Sequence, residues 1–206
     1  MSDRIKELYI RNSKLPKRYV KESALQAYTE QDLRTFRYLK EVRENIVSFV
    51  KEGKNLLITS NCTGNGKTTW ASKMLLQYIN TYAYKCSYKY NTPVLFVNVP
   101  QFLTNKKLAM SDPSILEELN ELEKCIFTAK IVVFDDIAIK TATDFERELL
   151  YTYINYRTDN LLTNIYTCNV TTNILPNVLG GRLTSRVIQY SECVEIIGPD
   201  MRGANV

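Results

Sequence analysis

The sequence has 206 residues, of which 45% are hydrophobic and 24% are charged, and its formal net charge is +5 at pH 7. Length and composition predict one globular domain, with or without a short appendage. The chain contains no histidine, and its five cysteines form no C-x-x-C pair. We therefore expect no zinc site and no Ser-His or Cys-His catalysis. The N-terminus lacks a signal core and no apolar run is as long as a membrane span, which predicts a cytoplasmic protein without membrane contact.

The first 30 residues predict a basic arm ahead of one larger domain. Lysine and arginine are frequent in residues 1–22, which also contain Leu15-Pro-Lys-Arg-Tyr19. A short basic segment of this kind is typical of a peripheral arm that contacts a partner. The sequence thus predicts an arm over residues 1–30 and a domain over residues 31–206.

Helices and strands alternate along the predicted domain. Apolar residues recur with a period near 3.6 from Glu30 to Val50, which predicts one helix there. Further helical stretches are predicted at 69–78, 100–128 and 145–156, and strands at 56–58, 94–97, 131–134 and 164–169. Within 100–128, Asp112-Pro-Ser114 opens a segment rich in leucine and glutamate. Because the strands alternate with helices, we expect an α/β fold with a parallel sheet and right-handed crossovers.

A phosphate-binding loop is predicted between the first strand and the next helix. Residues 61–68 (N-C-T-G-N-G-K-T) offer small residues whose N–H groups can surround a triphosphate, a lysine for its β and γ oxygens, and a hydroxyl for Mg²⁺. The usual pattern begins with glycine, and we expect Asn61 to replace it by adopting a left-handed conformation. A chance Gly-Lys-Thr in an ordinary turn is the alternative. The predicted nucleotide-binding residues are Asn61, Cys62, Thr63, Gly64, Asn65, Gly66, Lys67, Thr68 and Thr69.

Polar side chains follow two later strands at the end where open α/β sheets bind ligands. Asp135 and Asp136 close the third strand, and Asn169 ends the fourth. We expect Asp135 to share Mg²⁺ with Thr68, and Asp136 to be the base that polarises the attacking water. Asn169 is expected to orient that water or to sense the γ-phosphate. The alternatives are a solvated acidic turn and an ordinary strand-ending asparagine.

Arginines near the C-terminus are further candidates for charge stabilisation. Arg182 and Arg186 are four residues apart and share one face if their segment is helical. Arg202 follows near the end of the chain. Taken singly, an arginine of this kind is usually an ordinary surface cation.

A polyanion is compatible with the net charge of +5, which favours such a partner only weakly. From Tyr82 to Tyr90, tyrosines are interleaved with lysines. This pattern can stack single-stranded bases against a basic surface. A solvated helix end followed by a loop explains the same residues.

Several of these motifs together carry a resemblance that none carries alone. They are Leu15-Pro-Lys-Arg-Tyr19, the loop at 61–68, Val133-Phe-Asp-Asp-Ile137, Thr167-Cys-Asn169, the segment from Gly181-Arg182 to Ser185-Arg186, and Asp200-Met-Arg202. In this order they resemble the AAA+ ATPases of bacterial and phage replicative-helicase loaders, the DnaC/DnaI type, and their transposition-helper relatives. The resemblance covers roughly residues 16–202.

The resemblance implies an AAA+ P-loop NTPase core over residues 31–206, with a parallel β-sheet flanked by helices, that hydrolyses ATP with Mg²⁺. It implies a role in DNA replication with a hexameric replicative helicase and single-stranded DNA as partners. It also implies a homo-oligomer with ATP between subunits, so that an isolated monomer hydrolyses poorly. By position, Asn169 resembles sensor 1, Arg186 the arginine finger and Arg202 sensor 2. Arg182 is a supporting candidate.

Two departures from the loader pattern leave other functions open. Asn61 replaces the first glycine of the loop, and only about fifty residues precede the ATPase core. A helicase would then contact residues 1–30 or another surface, or the contact is absent. The alternatives are a transposition-helper ATPase, a small P-loop nucleotide kinase and a weakly hydrolysing, nucleotide-gated binding module. A kinase requires lid arginines after the third strand, where residues 140–143 offer one lysine. The expected source is a phage or mobile element.

Overall fold

Five parallel strands form the central sheet of the computed structural model, which describes residues 2–21, 25–82, 92–138 and 142–201. The strands are β1 (Asn55–Thr59), β2 (Val94–Asn98), β3 (Ile131–Asp135), β4 (Thr163–Cys168) and β5 (Ser191–Glu195). Their order in the sheet is β2-β3-β4-β1-β5, and every neighbouring pair is parallel. The predicted α/β fold class is confirmed.

Nine α-helices in the described part of the chain flank this sheet. They are α1 (Ser2–Asn12), α2 (Glu30–Glu44), α3 (Ile46–Lys51), α4 (Lys67–Tyr82), α5 (Val99–Leu108), α6 (Leu116–Thr128), α7 (Asp144–Asp159), α8 (Leu175–Leu179) and α9 (Gly181–Gln189). Short 3-10 helices lie at Lys17–Tyr19 and Pro113–Ile115. None of the helices described is both long and apolar enough to cross a membrane.

Separate sets of helices cover the two faces of the sheet, because successive strand residues point to opposite faces. In β1, Leu57 belongs to the apolar cluster that includes residues of α5–α9. Leu56 and Ile58 belong to the cluster that includes residues of α1–α4. Burial on both faces explains why β1, β2 and β3 are nearly continuous apolar runs. The parallel arrangement brings the carboxyl ends of β1, β3 and β4 to one edge of the sheet.

The single helix predicted over 30–50 is wrong, because it is interrupted, whereas the helical stretch predicted over 100–128 is two helices, with the new start at Asp112-Pro-Ser114 that the sequence indicates. The first breaks at Asn45, which has a non-helical backbone (φ −101°, ψ 20°) and whose amide donates to a carbonyl of the preceding turn. In the second break, the carboxylate of Asp112 accepts a hydrogen bond from the N–H of Ser114 at 2.9 Å. In both places a short polar side chain bonds main-chain groups locally and competes with the helix.

The N-terminal segment packs on the body of the fold, whereas the arm prediction expects it at the periphery. Tyr9 and Leu15 are buried, and α1 lies against α4. In the edge strand β2, the N–H of Phe96 donates to the carbonyl oxygen of Ser13 at 2.7 Å. The segment therefore covers part of the edge of the sheet. The domain boundary at residue 30 stays a prediction.

Candidate active site

The loop between β1 and α4 turns at two glycines. Gly64 and Gly66 have φ angles of 74° and 98°, a region that side chains disfavour. A Cβ atom on Gly66 would lie 2.8 Å from Cδ2 of Leu25, so the end of that side chain would have to shift. The described non-glycine residues with positive φ are Lys14, Asp136 and Leu161, and Asn61 is not among them. The left-handed conformation expected at Asn61 is wrong, and the loop closes without it.

Asn65 braces this loop from inside the protein. Its buried side chain donates from Nδ2 to Oγ of Ser60 and to the carbonyl oxygen of Ile196, the latter at 3.1 Å. Its Oδ1 accepts a hydrogen bond from Nζ of Lys67 at 3.1 Å. Lys67 also donates to the carbonyl oxygen of Cys62 at 2.6 Å. The loop is thus tied to the residues that follow β1 and β5, and its lysine is held inside it.

A cleft of about 310 Å³ opens beside the loop at the carboxyl edge of the sheet. It is lined by Arg18, Tyr19, Thr63, Gly64, Gly66, Lys67, Thr68, Thr69, Asn98, Asp135, Asp136 and Asn169. Of the nine predicted nucleotide-binding residues, Asn61, Cys62 and Asn65 do not belong to this lining and the other six do. Because α4 begins at Lys67, the N-terminal end of a helix also borders the cleft, which suits a phosphate group.

Thr68 and Asp135, the predicted Mg²⁺ ligands, lie in direct contact. The hydroxyl of Thr68 donates to Oδ1 of Asp135 at 2.8 Å, and the hydroxyl of Thr167 donates to the same oxygen at 2.7 Å. Mg²⁺ at phosphate sites is usually bound through one or two carboxylates, with water and substrate phosphates completing its shell. One carboxylate and one hydroxyl beside a phosphate-binding loop therefore fit this ion.

Burial dominates the electrostatics of the charged groups in the cleft. It raises the pKa of Asp135 to about 6, against the hydrogen bond from Thr167, while the charge of Asp136 adds to the rise. Burial also lowers the pKa of Lys67, and the charge of Asp136 opposes that change. In both groups burial destabilises the charged form. A cation beside Asp135 and a phosphate beside Lys67 would stabilise these charged forms.

Asp136 has a left-handed backbone conformation, with φ of 58°, and two residues at the end of β4 hold it. Its N–H donates to Oγ1 of Thr167 at 3.0 Å, and its Oδ1 accepts a hydrogen bond from Nδ2 of Asn169 at 2.8 Å. Strained residues of this kind cluster at functional sites. The structure brings Asp136 and Asn169 together, as the strand ends predict.

The sequence prediction does not name every residue at this site. Thr167 bonds to both Asp135 and Asp136, and it lies in the motif Thr167-Cys-Asn169. Arg18 lines the cleft and belongs to Leu15-Pro-Lys-Arg-Tyr19. Asn98 ends β2 in register with Asp135. The signal that indicates Asn169 is a polar residue at the end of a strand, and the same signal is present at Asn98.

The fold of this chain is similar to that of several solved structures. No protein-family model and no curated protein matches the chain. The DnaC helicase loader has a TM-score of 0.65 at 21% identity, over 88% of this chain and 99% of that one. DnaI has a TM-score of 0.66 at 17% identity, over 89% of this chain and 95% of that one. Replication initiator DnaA, bound to AMPPCP and single-stranded DNA, has a TM-score of 0.61 at 17% identity, over 83% of this chain and 48% of that one.

This chain has the AAA+ P-loop NTPase fold. The resemblance to helicase loaders that the motifs indicate is confirmed at the level of the fold. At these identities the similarity shows the fold alone, so the role of each site residue is argued from the geometry of this chain.

The two arginines predicted on one helix face lie on α9. Cζ of Arg182 is 3.8 Å from the ring centroid of Tyr151. Nη1 of Arg186 is 3.7 Å from Oδ1 of Asp159, and its Cζ is 5.3 Å from the ring centroid of Tyr190. Hydrogen bonds from Arg186 and then Arg182 lower the pKa of Tyr151. Neither arginine lines the cleft.

Three predictions concern residues outside the described ranges. They involve Arg202, the segment 83–90 and residues 140–141. Just before the second of these, the ring of Tyr82 stacks on that of Tyr78 with 5.3 Å between centroids. The roles of sensor 2 for Arg202 and of base stacking for the tyrosine-rich segment stay predictions.

The two residues that precede Arg202 lie against the phosphate-binding loop. Oγ1 of Thr63 donates to Oδ2 of Asp200 at 3.5 Å. The N–H of Met201 donates to the carbonyl oxygen of Gly64 at 3.1 Å. The C-terminal segment therefore closes one side of the loop, far in sequence from the strand that leads into it.

We expect Asp135→Asn to stabilise the protein at pH 8 when nucleotide and Mg²⁺ are absent. Folding raises the pKa of this carboxyl from 3.8 to about 6, so its ionised form destabilises the fold at neutral and higher pH. The free energy of unfolding should rise by about 1–3 kcal/mol at pH 8. The gain should shrink as the pH falls from 7 towards 4, because the wild-type carboxyl then takes up its proton. Urea denaturation at a series of pH values measures both effects.

The same substitution at Asp144, whose side chain is 97% exposed, is the control. It should change the free energy of unfolding by less than about 0.5 kcal/mol at any of these pH values. An Asp135→Asn protein that is less stable than wild type at pH 8 contradicts the assignment of a buried, destabilising charge.

Proposed function

We propose that this protein is an ATP- and Mg²⁺-dependent AAA+ ATPase that acts as a replicative-helicase loader of phage or bacterial origin. The observation that carries the proposal is one cleft lined by Lys67, Thr68, Asp135, Asp136 and Asn169. These side chains supply charge neutralisation, metal binding, water activation and water positioning, which are the requirements of phosphoryl transfer. The loader role is supported by the order of the motifs and by the fold shared with DnaC and DnaI.

Hydrolysis joins a water oxygen to the γ-phosphorus and breaks the bond to the β–γ bridging oxygen, releasing ADP and phosphate. Lys67 neutralises charge on the β and γ phosphates, and Thr68 and Asp135 would hold Mg²⁺. When bound there, the ion would supply positive charge that offsets the charge of the phosphates. Asp136 accepts the proton of the attacking water. Asn169, which donates to Asp136 at 2.8 Å, orients that carboxylate and the water.

A neighbouring copy of the chain completes the site in this proposal. Arg186 is the arginine finger, because it lies on α9 and not in the lining of its own cleft. A guanidinium from the next subunit would stabilise charge on the transferring phosphoryl group. ATP then lies between subunits, and the rate per subunit depends on assembly.

Single-stranded DNA and a hexameric helicase are the proposed partners. A DnaA structure with the same fold contains AMPPCP and single-stranded DNA. The net charge of +5 is compatible with a polyanion. The helicase contact is assigned to residues 1–30, where Arg4 and Arg11 are exposed on α1. Because these partners act on intracellular DNA, the proposed location is the cytoplasm.

The purified protein can test this function directly. We expect Mg²⁺-dependent ATP hydrolysis whose rate per subunit rises with protein concentration and responds to single-stranded DNA. At low salt the protein should also capture a hexameric replicative helicase in a pull-down. Capture of a transposase instead would indicate a transposition helper. Phosphoryl transfer to a nucleoside would indicate a kinase, and ATP binding without turnover would indicate a binding module. Each of these three results contradicts the loader proposal.

A further inference from the structure

The N-terminal segment contributes an arginine to the wall of the ATPase cleft. Arg18 lines this cleft together with Asn98, Asp135 and Asp136. It belongs to the 3-10 helix Lys17–Tyr19, which follows the buried Leu15. An arginine from the predicted arm thus lies among the groups that would bind Mg²⁺ and water.

Strand order shows from which side Arg18 approaches. The carboxylates end β3, with β4 and Asn169 on one side and β2 on the other. Asn98 at the end of β2 is in register with Asp135. The chain just before Arg18 is bonded to β2, since the N–H of Phe96 donates to the carbonyl oxygen of Ser13. Arg18 therefore flanks the metal-binding end of the cleft on the side opposite to Asn169.

Ring packing supports the guanidinium of Arg18. Its Cζ lies 4.7 Å from the ring centroid of Tyr19, and that ring lies 6.4 Å from the ring of Phe96, centroid to centroid. None of the ion pairs in the described part of the chain involves Arg18, although its positive charge opposes the rise in the pKa of Asp135. Arg186, by contrast, is within 3.7 Å of Asp159. Arg18 is exposed, and its N–H groups are available to an anion in the cleft.

We propose that Arg18 binds the γ-phosphate of ATP within its own subunit. Lys67 and Arg18 are the cations among the described residues that line the cleft. Lys67 is held inside the phosphate-binding loop, whereas Arg18 lies at the end where Asp135 and Asp136 project. With ATP bound in the proposed way, the terminal phosphate would lie toward this end, and a guanidinium can offer two parallel donors to its oxygens. The inference rests on the proposed ATPase function. It adds a second arginine to the site: Arg18 comes from the subunit that binds the ATP, whereas Arg186 comes from the neighbouring subunit.

The test compares Arg18→Gln with Lys17→Gln. Lys17 is the neighbouring exposed cation on the same short helix, but it does not line the cleft. Titration with fluorescent ATP and ADP, with Mg²⁺ present, gives both dissociation constants. Arg18→Gln should weaken ATP binding about 10-fold and ADP binding less than about 2-fold, and Lys17→Gln should change neither. Arg18→Lys should recover part of the ATP affinity, because it keeps the charge but loses the planar pair of donors.

The outcomes separate this inference from the proposed function. Equal losses of ATP and ADP affinity in Arg18→Gln, or no loss of either, overturn the assignment of Arg18 to the γ-phosphate. In both cases a wild-type protein that binds and hydrolyses ATP leaves the ATPase proposal intact. A wild-type protein that binds neither nucleotide overturns both. Thermal denaturation checks that each variant folds, and Arg18→Lys supplies the same ATP-to-ADP comparison if Arg18→Gln does not.

Discussion

Asp136→Asn is expected to slow ATP hydrolysis by about 100–1,000-fold while ATP binding stays close to that of wild type. The amide keeps the size of the side chain and an oxygen that can accept the hydrogen bond from Asn169. Asparagine also tolerates the left-handed backbone of this position, where φ is 58°. The variant loses the ability to take a proton from the attacking water. Single-turnover hydrolysis and nucleotide titration measure the two properties separately.

Two matched substitutions test whether Asp136 is the base and Asp135 the metal ligand. Asp135→Asn should lose Mg²⁺-dependent nucleotide affinity as well as hydrolysis, because Asp135 is bonded to Thr68 in the predicted metal site. Asp144→Asn, at an exposed position of α7, should change neither property. The assignment is reversed if Asp136→Asn loses Mg²⁺ dependence while Asp135→Asn retains it. It is rejected if Asp136→Asn hydrolyses ATP at the wild-type rate.

Much of the sheet could be predicted because most of its strands are buried on both faces. Residues 94–97 and 131–134 are continuous apolar runs in the sequence and lie within β2 and β3. The edge strand β5, S-E-C-V-E, is partly exposed and carries no such run. Its position depends on distant contacts, including the hydrogen bond from Nδ2 of Asn55 to the carbonyl oxygen of Tyr190 at 3.0 Å. Local periodicity contains no signal for a pairing of that kind.

The candidate site could be predicted as far as its residues occur in local motifs at strand ends. Lys67 follows β1 and Asp135 ends β3, so the parallel sheet alone brings them to one edge. Arg18 has no such constraint, because its place follows from the bond between Ser13 and β2. The loop shows a second limit of motif reasoning. Comparison with the usual loop pattern directs attention to Asn61, where that pattern has glycine. The positive φ angles of the loop occur instead at Gly64 and Gly66.

Arg186→Ala is expected to lower ATP turnover of the assembled protein by a factor on the order of 1,000. The side chain is 27% exposed on α9 and lies 3.7 Å from Asp159. A surface ion pair of this kind contributes at most about 1 kcal/mol to the free energy of unfolding, so the variant should remain folded. Arg147→Ala is a matched control, since Arg147 is 31% exposed and pairs with Asp144 at 3.2 Å. It should keep wild-type turnover.

A mixture of two inactive variants shows whether Arg186 acts on a neighbouring site. Lys67→Ala subunits keep the arginine but lack a working loop, and Arg186→Ala subunits have the reverse defect. In a random equal mixture about a quarter of head-to-tail interfaces pair an intact loop with an intact arginine, so about a quarter of wild-type turnover should return. At fixed total protein, turnover should peak at equal amounts of the two. If Arg186 served its own subunit, each subunit would lack one essential group and no mixture would exceed the background rate.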